Sequence, residues 1–110
     1  MKIGKKKKLV IKWDEFAVQN LNDIYDYIAL DSVSAAKYVK KSIILFVKKL
    51  ADFPEKYPKE AYLSDFPNNF RSVTKWSYKI IYEVLENEIF ILTIFHVKQH
   101  PHKIKSIPKD

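Results

Sequence analysis

The sequence predicts one α+β domain: an N-terminal strand, a helical hairpin, then a three-strand antiparallel meander whose sheet carries the helices on one face. The 110 residues are enough for one hydrophobic core. From residue 14 to 50, apolar residues recur at steps of three and four, the period of amphipathic helices. After residue 70, three runs rich in β-branched and aromatic residues are separated by short gaps, which is typical of antiparallel hairpins.

The first strand and the first helix meet at Asp14. The strand is predicted at residues 9–13, where apolar residues alternate. Asp14 is a suitable N-cap, because its carboxylate can accept hydrogen bonds from the free amides of the first helical turn. The helix is predicted to run to about residue 30, with an apolar stripe on Ala17, Leu21, Ile24 and Ile28.

A second helix is predicted after a break at residues 31–34. It should end before Pro54, since a proline disfavours the helical conformation of the preceding residue. A short joint between consecutive helices makes a helical hairpin. Residues 53–69, which contain three prolines, are predicted to form a loop.

The meander is predicted as strands at residues 70–76, 78–85 and 89–97. The last of these is apolar on both faces, as expected for a central strand, and the first strand should lie beside it. Residues 1–8 carry five lysines and are expected to form a solvated basic arm, or alternatively a nucleic-acid-binding arm. Residues 102–110 are expected to form a flexible tail.

Composition excludes several classes of function. With no cysteine, the chain has no disulfide, zinc knuckle or thiol nucleophile. A protein without disulfides is compatible with the reducing cytoplasm, where we expect it to be located. A single glycine excludes glycine-rich phosphate loops, so no cofactor is predicted. The longest mostly apolar run, residues 89–95, is far shorter than the roughly 20 residues of a membrane span, so a soluble protein is expected. A net charge of +7 favours a polyanion or an acidic protein as partner.

Three side chains are candidates for a catalytic site. Arg71 and Lys79 lie in adjacent predicted strands, and if their faces coincide the two cations could grip a phosphate. His96, at the end of the central strand, could take a proton from a ribose hydroxyl. The alternative interpretations are a half-solvated sheet face, where long cations cover apolar neighbours, and a packed, hydrogen-bonded histidine.

Other basic residues near these strands are candidate RNA contacts. We predict this role for Lys75, Lys98 and His100. No metal site is predicted from the three histidines, because neither a cysteine nor a well-placed carboxylate completes a ligand set.

Two sequence segments carry a family resemblance. They are Tyr78-Lys79-Ile80-Ile81-Tyr82 and Ile94-Phe95-His96-Val97-Lys98-Gln99-His100-Pro101. With the helical-hairpin pattern and Phe70-Arg71 before them, they resemble the RelE/ParE superfamily of toxins from bacterial type II toxin–antitoxin pairs. They are most similar to the signatures of its plasmid-stabilisation branch.

The resemblance implies a small twisted antiparallel sheet with the hairpin on one face, and an antitoxin as partner. It also implies growth inhibition by one of two activities. RelE-like members enter the ribosomal A site and cleave messenger RNA, whereas ParE-like members inhibit DNA gyrase.

The resemblance also assigns roles to the candidate residues. Arg71 would contact the scissile phosphate, Lys79 stands where the nuclease branch has an arginine, and His96 would be the general base. The sequence departs from the family pattern at two positions. Lys79 cannot make the bidentate phosphate contact of an arginine, and Val97 stands where a catalytic aromatic residue often follows the histidine. Our first hypothesis is a metal-independent endoribonuclease acting on messenger RNA at the ribosome. The alternatives are a non-enzymatic gyrase inhibitor and a non-toxic relative that only binds its antitoxin.

Overall fold

The computed structural model describes residues 9–98 and confirms the predicted α+β fold class. One turn of 3-10 helix, Ala61–Leu63, lies in the long loop of residues 50–69 that precedes the meander. The predicted basic arm at 1–8, the predicted tail at 102–110 and His100 lie outside the described residues. The elements are β1 (Val10–Trp13), α1 (Glu15–Ala29), α2 (Val33–Lys49), β2 (Phe70–Lys75), β3 (Tyr78–Val84) and β4 (Glu88–His96).

The four strands form one sheet in the order β1-β4-β3-β2. β1 runs parallel to β4, and the other neighbouring strands are antiparallel. The first strand therefore lies beside the central strand β4, as the sequence predicted. No helix between residues 9 and 98 has the length and apolar character needed to cross a membrane.

Both helices begin at side-chain caps. The Asp14 carboxylate accepts a hydrogen bond from the amide of Phe16 at 2.8 Å, which starts α1. The Ser32 hydroxyl accepts from the amide of Ala35 at 3.1 Å, which starts α2. These caps fix where the hairpin turns and hence which helical stripes face the sheet.

The main core lies between the helical hairpin and one face of the sheet, and a smaller cluster lies on the opposite face. The smaller cluster includes Leu63 of the 3-10 turn, so the long loop covers part of that second face. The buried residues of the main core are Ala17, Leu21, Ile43, Val47, Leu50, Ile80, Tyr82, Ile89, Ile91 and Ile94. Those of the smaller cluster are Leu63, Phe70, Ile81, Leu92 and Phe95.

The long loop also pairs with the outer side of β2. The Glu60 amide donates to the carbonyl of Phe70 at 2.9 Å, and the Ser72 amide donates to the carbonyl of Pro58 at 3.3 Å. This part of β2 therefore has hydrogen-bond partners on both sides.

A bulge in β4 is held by a polar side chain of α1. The register between β3 and β4 shifts by one residue, which leaves Leu92 as the extra residue of β4. The Asn20 amide oxygen accepts from the Thr93 hydroxyl at 2.6 Å and from the Ile94 amide at 3.1 Å. Asn20 thus supplies the acceptor for β4 groups next to the bulge.

Replacing Asn20 with alanine is expected to lower the free energy of unfolding by about 2 kcal/mol, because two donors beside the core lose their acceptor. Urea unfolding followed by circular dichroism measures this change. The matched control is Gln19→Ala, which removes an exposed hydrogen bond to Asp23 and should cost less than about 0.5 kcal/mol. Equal stability of the two variants would contradict the role given to Asn20.

Candidate functional site

The two-residue turn between β2 and β3 sets the faces of the predicted site residues. Lys75 pairs with Tyr78 across this turn, and the pairing continues to Arg71 opposite Tyr82. Paired residues lie on the same face of a sheet, and successive residues alternate. Lys79 therefore lies on the opposite face from Arg71. The expected convergence of these two cations on one phosphate is not found.

Arg71 lies on the helix-covered face and binds the long loop. Its Nε donates to Asn69 Oδ1 at 3.0 Å, and its Nη1 donates to the carbonyl oxygen of Tyr57 at 2.7 Å and to that of Glu55 at 3.4 Å. Its Nη2 lies 3.7 Å from the Glu55 carboxylate, and the Arg71 side chain is only 15% exposed. The guanidinium thus holds residues 55–57 against β2.

Tyr82, opposite Arg71, strengthens the same attachment. Its hydroxyl donates to the carbonyl oxygen of Pro54 at 3.3 Å. Burial raises the pKa of Tyr82 to about 12, although the positive charge of Arg71 acts in the other direction. The phenol therefore remains a neutral hydrogen-bond donor throughout the physiological range.

On the other face, Lys79 forms an ion pair with a buried carboxylate. Its Nζ lies 2.7 Å from Glu60 Oε1, and the Glu60 side chain is 2% exposed. The second carboxylate oxygen accepts from the amide of Tyr62 at 2.7 Å. Burial by itself would raise the pKa of Glu60, but the hydrogen bonds from Lys79, Tyr62 and Ser72, together with the positive charge of Lys79, outweigh burial and lower it. The ammonium of Lys79 is thus held by an ionised partner.

His96 lies at the end of β4, beside a groove of about 700 Å³ between α1 and the sheet. Its ring meets that of Tyr78 edge to face, with centroids 5.5 Å apart. Its Nδ1 accepts from the amide of Lys98 at 3.1 Å, and Lys98 lines the same groove. Burial, together with the neighbouring Tyr27, raises the pKa of Tyr78. The structure therefore brings His96 together with Lys98 and two tyrosines.

Arg71 is too far from His96 to share a phosphate with it. The row of paired residues that holds Arg71 is four residues along β2 from the row of Lys75, Tyr78 and His96. This separation is about 13 Å along the strand, and β4 is a further ~10 Å across the sheet.

Between residues 9 and 98, no group of three or more histidine and carboxylate side chains could hold a metal ion.

Lys75 shares a row with His96 but borders a different groove. This second groove, of about 600 Å³, lies between α2, the long loop and the β2–β3 turn. The ammonium of Lys75 lies 5.6 Å from the ring centroid of Phe46 and 5.4 Å from that of Trp76. The predicted site residues are therefore distributed over several separate places.

Two residues that contact the predicted site residues, Glu60 and Trp76, were not predicted as site residues. Glu60 lies in a stretch that the sequence marks only as a proline-containing loop, so no local pattern reveals its partner Lys79. Trp76 was included in the strand predicted at residues 70–76, because tryptophan is common in strands and unusual in a tight turn.

The chain resembles known proteins in both sequence and structure. A family model described as "ParE toxin of type II toxin-antitoxin system, parDE" matches residues 11–101. Among solved structures, the chain is similar to a chain from the chromosomal ParDE toxin–antitoxin system of P. aeruginosa. The two share 28% sequence identity with a TM-score of 0.68, and the match covers 83% of this chain and 98% of that chain. No curated protein sequence matches significantly.

Proposed function

Because the chain belongs to the ParE toxin family of type II toxin–antitoxin systems, we propose that it stops growth by binding and inhibiting DNA gyrase, without cutting RNA. Membership of this family confirms the RelE/ParE resemblance noted in the sequence, and it implies an antitoxin as partner. In this proposal the toxin acts in the cytoplasm through a protein interface.

The observation that carries the proposal is the separate engagement of the two cations. Arg71 is bound to the long loop on one face, and Lys79 is bound to Glu60 on the other. A nuclease of the kind first considered needs phosphate-holding cations close to its general base. Neither of these two cations lines the groove of His96, and the lysine that does line it is Lys98. Inhibition by binding needs no such cluster, and a surface of net charge +7 favours acidic protein partners.

The decisive experiment compares the wild-type protein with His96→Ala in two purified assays. In a DNA supercoiling assay, we expect both proteins to inhibit gyrase, with half-inhibiting concentrations within about threefold of each other. In a translation assay with programmed ribosomes, we expect the messenger RNA to stay intact. A general base contributes roughly 10² to 10⁴ in rate, so a nuclease that used His96 would lose nearly all activity.

Two outcomes would contradict the proposal. Ribosome-dependent cleavage by the wild-type protein, lost in His96→Ala, would support the nuclease hypothesis instead. Inactivity in both assays, with binding to the antitoxin retained, would identify a non-toxic relative. An unfolding curve for each variant ensures that a loss of activity is not a loss of folding.

A further inference from the structure

The β2–β3 turn contains a tryptophan in a strained backbone conformation. Trp76 has a φ of 61°, in the left-handed region that glycine and asparagine occupy most readily. Bulky residues are uncommon there, and the strain persists only where other interactions maintain it. The side chain is 55% exposed, so burial does not account for a tryptophan at this position. Strain of this kind together with exposure points to a contact with another molecule.

Trp76 forms one wall of the groove between α2, the long loop and this turn, which we name the Trp76 groove. Its ring meets Phe46 of α2 edge to face, with centroids 6.0 Å apart. Two further wall residues are large and apolar but substantially exposed, Leu45 at 48% and Phe53 at 60%. The groove can therefore accept a bulky apolar side chain and remove existing apolar surface from water.

The rim of the groove is cationic. Three lysines line it against one carboxylate, Asp52. Two of the lysines lie over aromatic rings. The Lys75 ammonium is 5.4 Å from the Trp76 centroid, and the Lys56 ammonium is 5.4 Å from the Tyr57 centroid. Contacts of this type hold the positive charges near the rim, where they can meet carboxylates of a bound molecule. The third lysine is Lys49 of α2.

We propose that the Trp76 groove binds an acidic segment of a partner protein, with one bulky apolar side chain of that segment between Phe46 and Trp76. The apolar walls provide the contact area, and the lysines select carboxylates on either side of the inserted residue. A second copy of this chain does not fit this description, because each copy carries a net charge of +7. The inference does not depend on gyrase inhibition, since a toxin of either mechanism could use this groove.

The test uses a short synthetic peptide of glutamate and alanine with one central leucine as the probe. The chain has two tryptophans, so its two indole N–H signals can be followed separately by NMR. We expect the Trp76 indole signal and the amide signals of Phe46 and Lys75 to shift and saturate. A peptide with serine in place of leucine, and one with lysine in place of glutamate, should each bind at least roughly tenfold more weakly. The double variant Lys49→Glu with Lys75→Glu should weaken binding by a similar factor.

The variant Trp76→Asn separates a binding role from a structural one. Asparagine suits the left-handed conformation, so we expect the unfolding temperature to be unchanged or raised. Peptide binding should nevertheless fall by roughly tenfold. The matched control is Tyr38→Ala, which removes an aromatic side chain that is 73% exposed on α2 outside the groove and should leave binding unchanged.

Several results would overturn the proposal. These are undiminished peptide binding by Trp76→Asn, equal binding of the serine peptide, or signal shifts that map away from the groove. Tighter binding of a single-stranded oligonucleotide at the same residues would indicate a nucleic-acid site. Concentration-dependent shifts without peptide, mapping to the same groove, would indicate contact between copies of the chain.

Discussion

Replacing Arg71 with leucine is expected to lower the free energy of unfolding by about 3 kcal/mol, because the long loop loses its hydrogen bonds to the Arg71 side chain of β2. The substitution removes the charge-assisted hydrogen bonds to Asn69 Oδ1 and to the carbonyl oxygen of Tyr57. Arg71→Lys keeps the charge but cannot reach these acceptors at once, so we expect it to lose about 2 kcal/mol. Urea unfolding of the purified variants measures both values.

Lys12→Ala is the matched control for loss of a strand cation. The Lys12 side chain is 61% exposed and lies 3.3 Å from the Glu88 carboxylate, so its removal should cost no more than about 1 kcal/mol. If Arg71→Leu were as stable as this control and yet lost toxicity, Arg71 would act on the target, and the assignment of its guanidinium to folding would be wrong. A loss of toxicity has this meaning only when stability has been measured.

Replacing Lys79 with methionine is expected to lower the free energy of unfolding by about 3 kcal/mol at neutral pH, since the buried Glu60 carboxylate is left without its counter-ion. The double variant Lys79→Met with Glu60→Gln has no unpaired buried carboxylate and should recover at least about half of that loss in the free energy of unfolding. Chemical unfolding of the wild type, both single variants and the double variant forms a complete cycle. Strictly additive losses would show that the two side chains do not stabilise each other.

The stability of the wild type and of Lys79→Met should change with pH in different ways. In the wild type the pKa of Glu60 is lowered from 4.5, so its contribution to stability is complete above that value and is lost as pH falls through the folded-state pKa. In Lys79→Met, the pKa of Glu60 should be higher than in the wild type, because burial still raises it while the hydrogen bond and charge of Lys79 no longer lower it. Protonation of Glu60 then removes the buried charge. The stability deficit of this variant should therefore be largest near pH 7 and shrink toward pH 4. A deficit that is independent of pH would contradict this explanation.

The elements were predictable because their signals are local. Hydrophobic period and helix caps lie within each segment, and the order of segments then leaves few topologies. Asn20 could also have been noticed, since it is three residues after Ala17 and four before Ile24, and so falls on the apolar stripe of α1. A polar residue on that stripe indicates a partner in the core.

The candidate site was less predictable because it depended on the length of one turn. A gap of only Ser77 between the strands would have placed Arg71 and Lys79 on one face. The actual turn also includes Trp76, and a change of one residue in register reverses every side chain of a strand. The ion pair with Glu60 was not predictable either, because its two members are brought together only by the tertiary fold.

The pairing of the long loop with β2 has a consequence for behaviour at high concentration. An unpaired outer strand is a template on which another molecule can extend a sheet, which leads to aggregation. Here the carbonyl of Phe70 and the amide of Ser72 are already engaged by residues of the same chain. The other outer strand, β1, is four residues long and includes a lysine, two features that discourage such growth. Loosening the loop should thus make the protein prone to fibril-like self-association, in addition to making it less stable.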